Sequence, residues 1–227
     1  MLSYRHGFHA GNHADVLKHS TLMLCLEAMQ GKDKPLFVLD THAGAGEYDL
    51  AGEYARKTAE ATDGIARLWP ERLHLLPERY AQSLKERNGD ALRHYPGSCA
   101  LIADWLRPQD SAAFCERHSH EHTLLRENFA NSRRIALHSD GFAAIRALLP
   151  PQCKRGLVLL DPSYETDQDY QAVATAAAEI RRRFRAAVVL IWYPQLPAAR
   201  RMLAALARLG IENSFVARLA VRADTSG

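Results

Sequence analysis

Residues 35–46 read Pro-Leu-Phe-Val-Leu-Asp-Thr-His-Ala-Gly-Ala-Gly, an apolar run of buried-strand length that passes at once into a glycine-rich turn. This pattern predicts the first strand of a βα crossover. Gly44 and Gly46 let the backbone approach a ligand closely, which is how nucleotide-like cofactors are held at the C-terminal ends of parallel strands. The dinucleotide fingerprint would need a further glycine at position 49. That residue is Asp49, which weakens a hydride-transfer reading.

Together with the first, five more short apolar runs, separated by helix-like segments, mark out the strands. They predict strands at 36–40, 112–115, 134–138, 156–160 and 186–193, with a sixth at 211–221. Helices are expected at 13–30, with Asn12 as cap and Gly31 as stop, and at 121–128, 142–149, 168–184 and 197–209. In the first helix Val16, Leu17, Leu22, Leu24 and Leu26 cover much of the circumference, so burial against a sheet is expected. Such alternation predicts an α/β fold with a doubly wound, mostly parallel, Rossmann-like sheet. Residues 47–106 are rich in Ala, Glu, Arg and Leu and are broken by Pro70 and Pro77. They are longer than one crossover needs, and they read as a subdomain of several short helices inserted into a single domain spanning 1–227.

At 227 residues and 47% hydrophobic composition, the chain can bury a sizeable core. Lys and Arg total 29 against 26 acids, so any affinity for nucleic acid must come from a local patch. Arg181-Arg182-Arg183-Phe184-Arg185 reads as a solvated helix end, with phosphate contact as the alternative. The cysteines, Cys25, Cys99, Cys115 and Cys153, form no C-x-x-C pair and read as reduced thiols. No apolar run approaches membrane-spanning length and no signal segment opens the chain, so a cytoplasmic monomer is expected. The histidines at 6, 9, 13 and 19, and at 118, 120 and 122, lack a recognised zinc spacing, and no metal is expected.

Chemistry concentrates where the fourth strand ends, at Asp161-Pro162-Ser163-Tyr164. An exocyclic amine on a nucleobase is a poor nucleophile. An enzyme that alkylates it needs acceptors for the two N–H groups and a ring to fix the base plane. Asp161 offers a carboxylate, Pro162 a carbonyl on a backbone with φ already set, and Tyr164 a stacking face. The same four residues also suit a solvent-facing strand-to-helix turn. Asp140 and Gly141 follow the third strand, where Asp140 can also cap the next helix.

Several blocks carry a closer resemblance. They are the opening Met-Leu-Ser-Tyr-Arg-His-Gly-Phe-His-Ala-Gly-Asn-His-Ala-Asp-Val-Leu-Lys-His, then Leu-Asp-Thr-His-Ala-Gly-Ala-Gly, Tyr-Pro-Gly-Ser, His-Ser-Asp-Gly-Phe, Asp-Pro-Ser-Tyr-Glu and Ile-Trp-Tyr-Pro. In this order, across nearly the whole chain, they resemble the J-type 23S ribosomal RNA adenine-N6-methyltransferases (RlmJ). The spacing from Asp40 to Gly44 and Gly46 likewise resembles motif I of S-adenosylmethionine-dependent methyltransferases. The resemblance implies methyl transfer from S-adenosyl-L-methionine to N6 of an adenine in 23S ribosomal RNA, with Asp161, Pro162 and Tyr164 as the catalytic clamp. It places Lys18 and His19 near the carboxylate end of the cofactor, His42 beside the sulfonium, and Gly44, Gly46 and Ser98 in the same site. Glu116 would accept from the ribose hydroxyls and Asp140 from the adenine amine, with Gly141 making room for the ring and Asp161 also bordering the cofactor. Tyr4 would act as a mobile gate at the target base; its alternative is an aromatic anchor for the N-terminal tail. A DNA adenine-N6 methyltransferase and a DNA-binding protein for catabolism of external DNA remain as alternatives.

Two departures from the family pattern stand out. Ser163 replaces the second proline of the tetrad, while the carboxylate, the first proline and the ring that would clamp the base remain. The class also continues into a seventh, antiparallel strand between the fifth and sixth. The expectation is that the natural protein runs on beyond Gly227 by several tens of residues, a rough allowance for a loop and a strand.

Overall fold

A computed structural model describes residues 6–129 and 134–221. Along the chain, α1 (His13–Gln30) precedes β1 (Phe37–Asp40) and β2 (Glu47–Asp49). Then come α2 (Glu53–Thr58), short 3-10 turns, α3 (Glu78–Arg87), β3 (His94–Pro96) and α4 (Ser98–Trp105). The second half alternates regularly: β4 (Ser111–Glu116), α5 (Ser119–Phe129), β5 (Arg134–His138), α6 (Gly141–Leu148), β6 (Gly156–Leu160), α7 (Asp167–Arg183), β7 (Val188–Ile191) and α8 (Ala199–Arg208).

Among the described residues, five strands form a parallel sheet in the order β5-β4-β1-β6-β7. Successive residues of a strand face opposite sides, and the burial follows that alternation. Val38, Phe114, Leu157 and Leu159 join one core with Leu22, Met23 and Leu26 of α1 and Leu101 of α4. Leu39, Cys115, Val158 and Leu160 join the other with Ile145 of α6, Val173 and Ile180 of α7 and Met202 of α8. All five residues of β6 are buried, as expected for a parallel strand covered on both faces. The chain leaves β1 for β4 on one side and later returns to β6 on the other. The C-terminal end of β1 is therefore a topological switch point, where a crevice opens between diverging loops. Among the described residues no helix is long and apolar enough to cross a membrane.

Helix α1 starts where its cap predicts: the Asn12 side chain accepts from the Asp15 N–H at 2.9 Å. Its apolar residues do not all turn inward, because Leu24 is 56% exposed while Leu22, Met23 and Leu26 are buried. Residues 47–106 also differ from an all-helical reading. Tyr48 pairs across from Tyr95 in an antiparallel ladder of β2 with β3, and both rings are buried. Strands of three residues are too short to show a periodicity. Residues 211–221 form no strand and are exposed throughout; they pair with neither edge strand of the sheet, β5 nor β7.

Candidate active site

The loop after β1 is sewn to both neighbouring strands. The Thr41 N–H and hydroxyl both donate to the Leu159 carbonyl at the end of β6, at 3.2 and 2.8 Å. The Ala43 N–H donates to the Cys115 carbonyl of β4 at 2.9 Å. Gly44 then adopts φ +62°, and its N–H donates to a Glu116 carboxylate oxygen at 3.0 Å. A Cβ at Gly44 would lie 2.2 Å from the Tyr48 hydroxyl. One at Gly46, φ +87°, would lie 2.3 Å from the Phe129 ring. Both glycines are required by backbone conformation and by space together.

Asp40 ends β1 fully buried. One carboxylate oxygen accepts from the Ser98 hydroxyl at 2.6 Å and the other from the His42 N–H at 3.2 Å. Burial outweighs these two bonds and raises its pKa from 3.8 to about 6. The folded protein therefore binds a proton here that the unfolded chain releases, and stability falls as pH rises from about 4 to about 6. At neutral pH the ionised Asp40 costs about 3 kcal/mol relative to its protonated form, at roughly 1.4 kcal/mol per pH unit. Asp40→Asn keeps both contacts, with the amide oxygen accepting from His42 and the amide N–H donating to Ser98. It is expected to raise the melting temperature at pH 7 and to flatten the decline between pH 4 and 6. An unchanged pH profile in urea or thermal melts of the variant would sink this account.

The ends of β4 and β5 supply the next two acids. Glu116 accepts from the Gly44 and His118 N–H groups, the latter at 2.6 Å, and burial raises its pKa. Asp140 caps α6, accepting from the N–H groups of Phe142 and Ala143 at 2.9 and 3.1 Å, while its carboxylate still borders the cleft. It fills the capping role and stands at the cleft together. Gly141 presses α6 against the β1 loop: a Cβ there would sit 1.9 Å from the Thr41 carbonyl oxygen. His42 meets the Phe142 ring edge-on at 5.0 Å, and burial lowers its pKa to about 4, leaving a neutral imidazole.

From α1, across the cleft, Lys18 reaches the end of β6. Its ammonium lies 2.6 Å from one Asp161 oxygen and 2.9 Å from Asp15. Burial alone would lower its pKa, but the two carboxylates overcome this and raise it, so the side chain stays charged. The resemblance leads to the cofactor's carboxylate as the partner of Lys18; the described partners are two carboxylates of the protein itself. His19 is fully buried. Its Nδ1 is 2.8 Å from the Tyr95 hydroxyl, its ring stacks on Tyr95, and burial lowers its pKa to about 3. Its Nε2 has no partner among the described residues, and both His19 and Ser139 line the cleft.

Asp161, Pro162 and Ser163 line the cleft with Lys18, His42 and Glu116, but Tyr164 does not. Its backbone is left-handed, φ +52°, its ring packs 4.5 Å from Tyr170, and its hydroxyl donates to the Trp192 carbonyl. The stacking ring expected at the cleft is thus turned into the second core. Its hydroxyl is satisfied there and its ring is partly buried against that core. Tyr4 lies outside the described residues. Sequence reasoning gave no site role to Asp15, Asp40 or Phe142, although Asp40 opens the motif I spacing. Asp15 also had a readable signal, since an acid three residues before Lys18 on a helix shares its face. The Arg181–Arg183 run falls at the pole opposite the cleft, because α7 leaves the end of β6 and returns to the start of β7. There Arg182 and Arg183 pair with Glu179. Among the described residues no three His, Cys, Asp or Glu side chains form a group able to hold a metal.

Known proteins resemble the chain over most of its length. Residues 33–227 match the family model described as ribosomal RNA large subunit methyltransferase D, RlmJ. Ribosomal RNA large subunit methyltransferase J of Escherichia coli (strain K12) is 44% identical over 230 residues, covering 99% of this chain and 82% of that protein. The protein of the same description from Haemophilus influenzae is 44% identical over 233 residues, again covering 99% and 82%. The crystal structure of protein LPL1258 from Legionella pneumophila superposes with a TM-score of 0.81 at 36% identity, covering 88% of this chain and 75% of that one.

Proposed function

The chain belongs to the ribosomal RNA large subunit methyltransferase J (RlmJ) family, and from that membership we propose that it transfers a methyl group from S-adenosylmethionine to N6 of an adenine in 23S ribosomal RNA. The observation that carries the reading is the meeting of Asp161 and Pro162 with the Gly44 loop in one cleft at the switch point of the sheet. The residues present suit the cofactor. Gly44 and Gly141 let Tyr48 and the Thr41 loop close up beside the cleft, where a Cβ would strike them, and His19, which lines the cleft, keeps a buried Nε2 with no hydrogen-bond partner among the described residues. The Gly44 and His118 N–H groups reach different oxygens of Glu116, and a carboxylate accepts about four hydrogen bonds, so lone pairs remain for the ribose hydroxyls. His42, held neutral by burial, adds no positive charge beside a sulfonium.

When bound, S-adenosylmethionine supplies a methyl carbon that is already electrophilic. The chain's task is therefore to aim the amine and accept its proton. Lys18 engages one oxygen of Asp161, and the other is left to accept from the target N6–H. The Pro162 carbonyl takes the second N–H, which points the nitrogen lone pair at the methyl group in a near-attack geometry. Asp161 then accepts the proton that N6 gives up as it is alkylated. Tyr164, as placed here, braces the tetrad from behind.

The test is transfer from methyl-labelled S-adenosylmethionine to 23S ribosomal RNA and, in parallel, to duplex and single-stranded DNA, each with chelator present. Label in RNA that digests to N6-methyladenosine is the expected result, and chelator should not lower it. Label only in DNA would move the activity to the DNA reading, and none in either would remove it. We place the activity in the cytoplasm, alongside that substrate.

A further inference from the structure

Asp15 is 2% exposed, yet it carries a full charge and gathers donors both from the segment before α1 and from its own helix. One oxygen accepts from the Gly11 N–H at 3.0 Å and lies 3.0 Å from His6 Nε2. The other lies 2.9 Å from the Lys18 ammonium, which in turn lies 2.6 Å from Asp161. Burial works against the ionised carboxylate, but His6 and Lys18 outweigh it and hold its pKa well below the usual range. A buried carboxylate with donors from three places has a fixed position, and so does the ammonium it grips. Without Asp15, a buried Lys18 would have Asp161 as its one direct ion-pair partner among the described residues and would draw on both of its oxygens.

We propose that Asp15 is a positioning residue for methyl transfer: it shares the Lys18 ammonium with Asp161, so that Lys18 stays on one oxygen of Asp161 and the other remains an open acceptor for the target amine. The inference rests on the methyltransferase reading above. It assigns Asp15 no contact with substrate or cofactor, and its effect passes through Lys18.

That dependence makes it testable by a double-mutant cycle in the full chain, using single-turnover transfer to ribosomal RNA per molecule able to bind S-adenosylmethionine. Asp15→Asn is expected to lower the rate at saturating RNA by about tenfold or more, with the KM for RNA and the affinity for S-adenosylmethionine each within about threefold. In a Lys18→Met background the same substitution should change the rate by less than about twofold. Equal losses in the two backgrounds, or a loss of cofactor affinity that parallels the loss of rate, would overturn the proposal. If Asp15→Asn does not fold, Asp15→Glu goes through the same cycle. A rate lowered with Lys18 present and unaltered once Lys18 is replaced supports the proposal, and any other pattern overturns it. Absence of transfer by the unsubstituted chain would instead remove the activity on which the inference rests.

Discussion

Asp161→Asn is expected to slow methyl transfer by about two orders of magnitude or more, a loss of roughly 2.7 kcal/mol of transition-state stabilisation, while changing S-adenosylmethionine affinity by less than about threefold. The size follows from the Lys18 contact. An amide at 161 must turn its oxygen toward the ammonium 2.6 Å away, because the alternative sets an N–H group against a cation. The amide nitrogen then takes the place of the acceptor meant for the target amine, so two donors face each other where a donor and acceptor should. The fold is spared, since Lys18 keeps Asp15 as counter-charge. Single-turnover rates and titration calorimetry give the two numbers separately. Near-normal turnover in Asp161→Asn would move the proton acceptor elsewhere.

Gly141→Ala is expected to have the largest effect on stability and on cofactor binding together. The added methyl would sit 1.9 Å from the Thr41 carbonyl oxygen and 2.7 Å from the Thr41 Cβ, which is overlap with backbone rather than with a flexible tip. Thr41 cannot yield, because its N–H and hydroxyl are both held by the Leu159 carbonyl of β6. Relief has to come from a shift of α6 away from the β1 loop, at about 3 kcal/mol, or a melting temperature lower by roughly 6–12 °C for a chain of this size. The same shift moves Asp140 relative to Gly44 and should weaken S-adenosylmethionine binding by about tenfold or more. Differential scanning calorimetry and titration calorimetry read the two effects. A variant that melts and binds like the parent would mean that the close contact is absent in solution.

Much of this was legible in the amino-acid order. The apolar runs at 36–40 and 156–160, the capped helix at 13–30 and the alternation after residue 111 correspond to elements found within a residue or two of their expected limits. These are local patterns: a buried parallel strand must be apolar on both faces, and a helix must begin at a cap, wherever the rest of the chain lies. The acids at strand ends, Glu116, Asp140 and Asp161, were readable for the same reason, since alternation of strand and helix already sends every strand's C-terminal end to one side of the sheet. That side holds the cleft.

What the order of residues could not decide is which side chains meet there. Lys18 and Asp161 are 143 positions apart, and nothing local distinguishes a lysine reserved for a cofactor from one held between two carboxylates. Tyr164 is an aromatic after a strand in either reading. Its left-handed backbone and the nearby Tyr170 and Trp192 carbonyl set it toward the core rather than the cleft. The exposed Leu24, the β2–β3 ladder and the unpaired stretch 211–221 depended likewise on what lies alongside. Elements and their polarity follow from short-range sterics and the period of apolar residues, which the sequence carries by itself. The ion-pair network, the neutral histidines and the orientation of the tetrad arise from burial and distance between remote segments, which only the packed tertiary structure supplies.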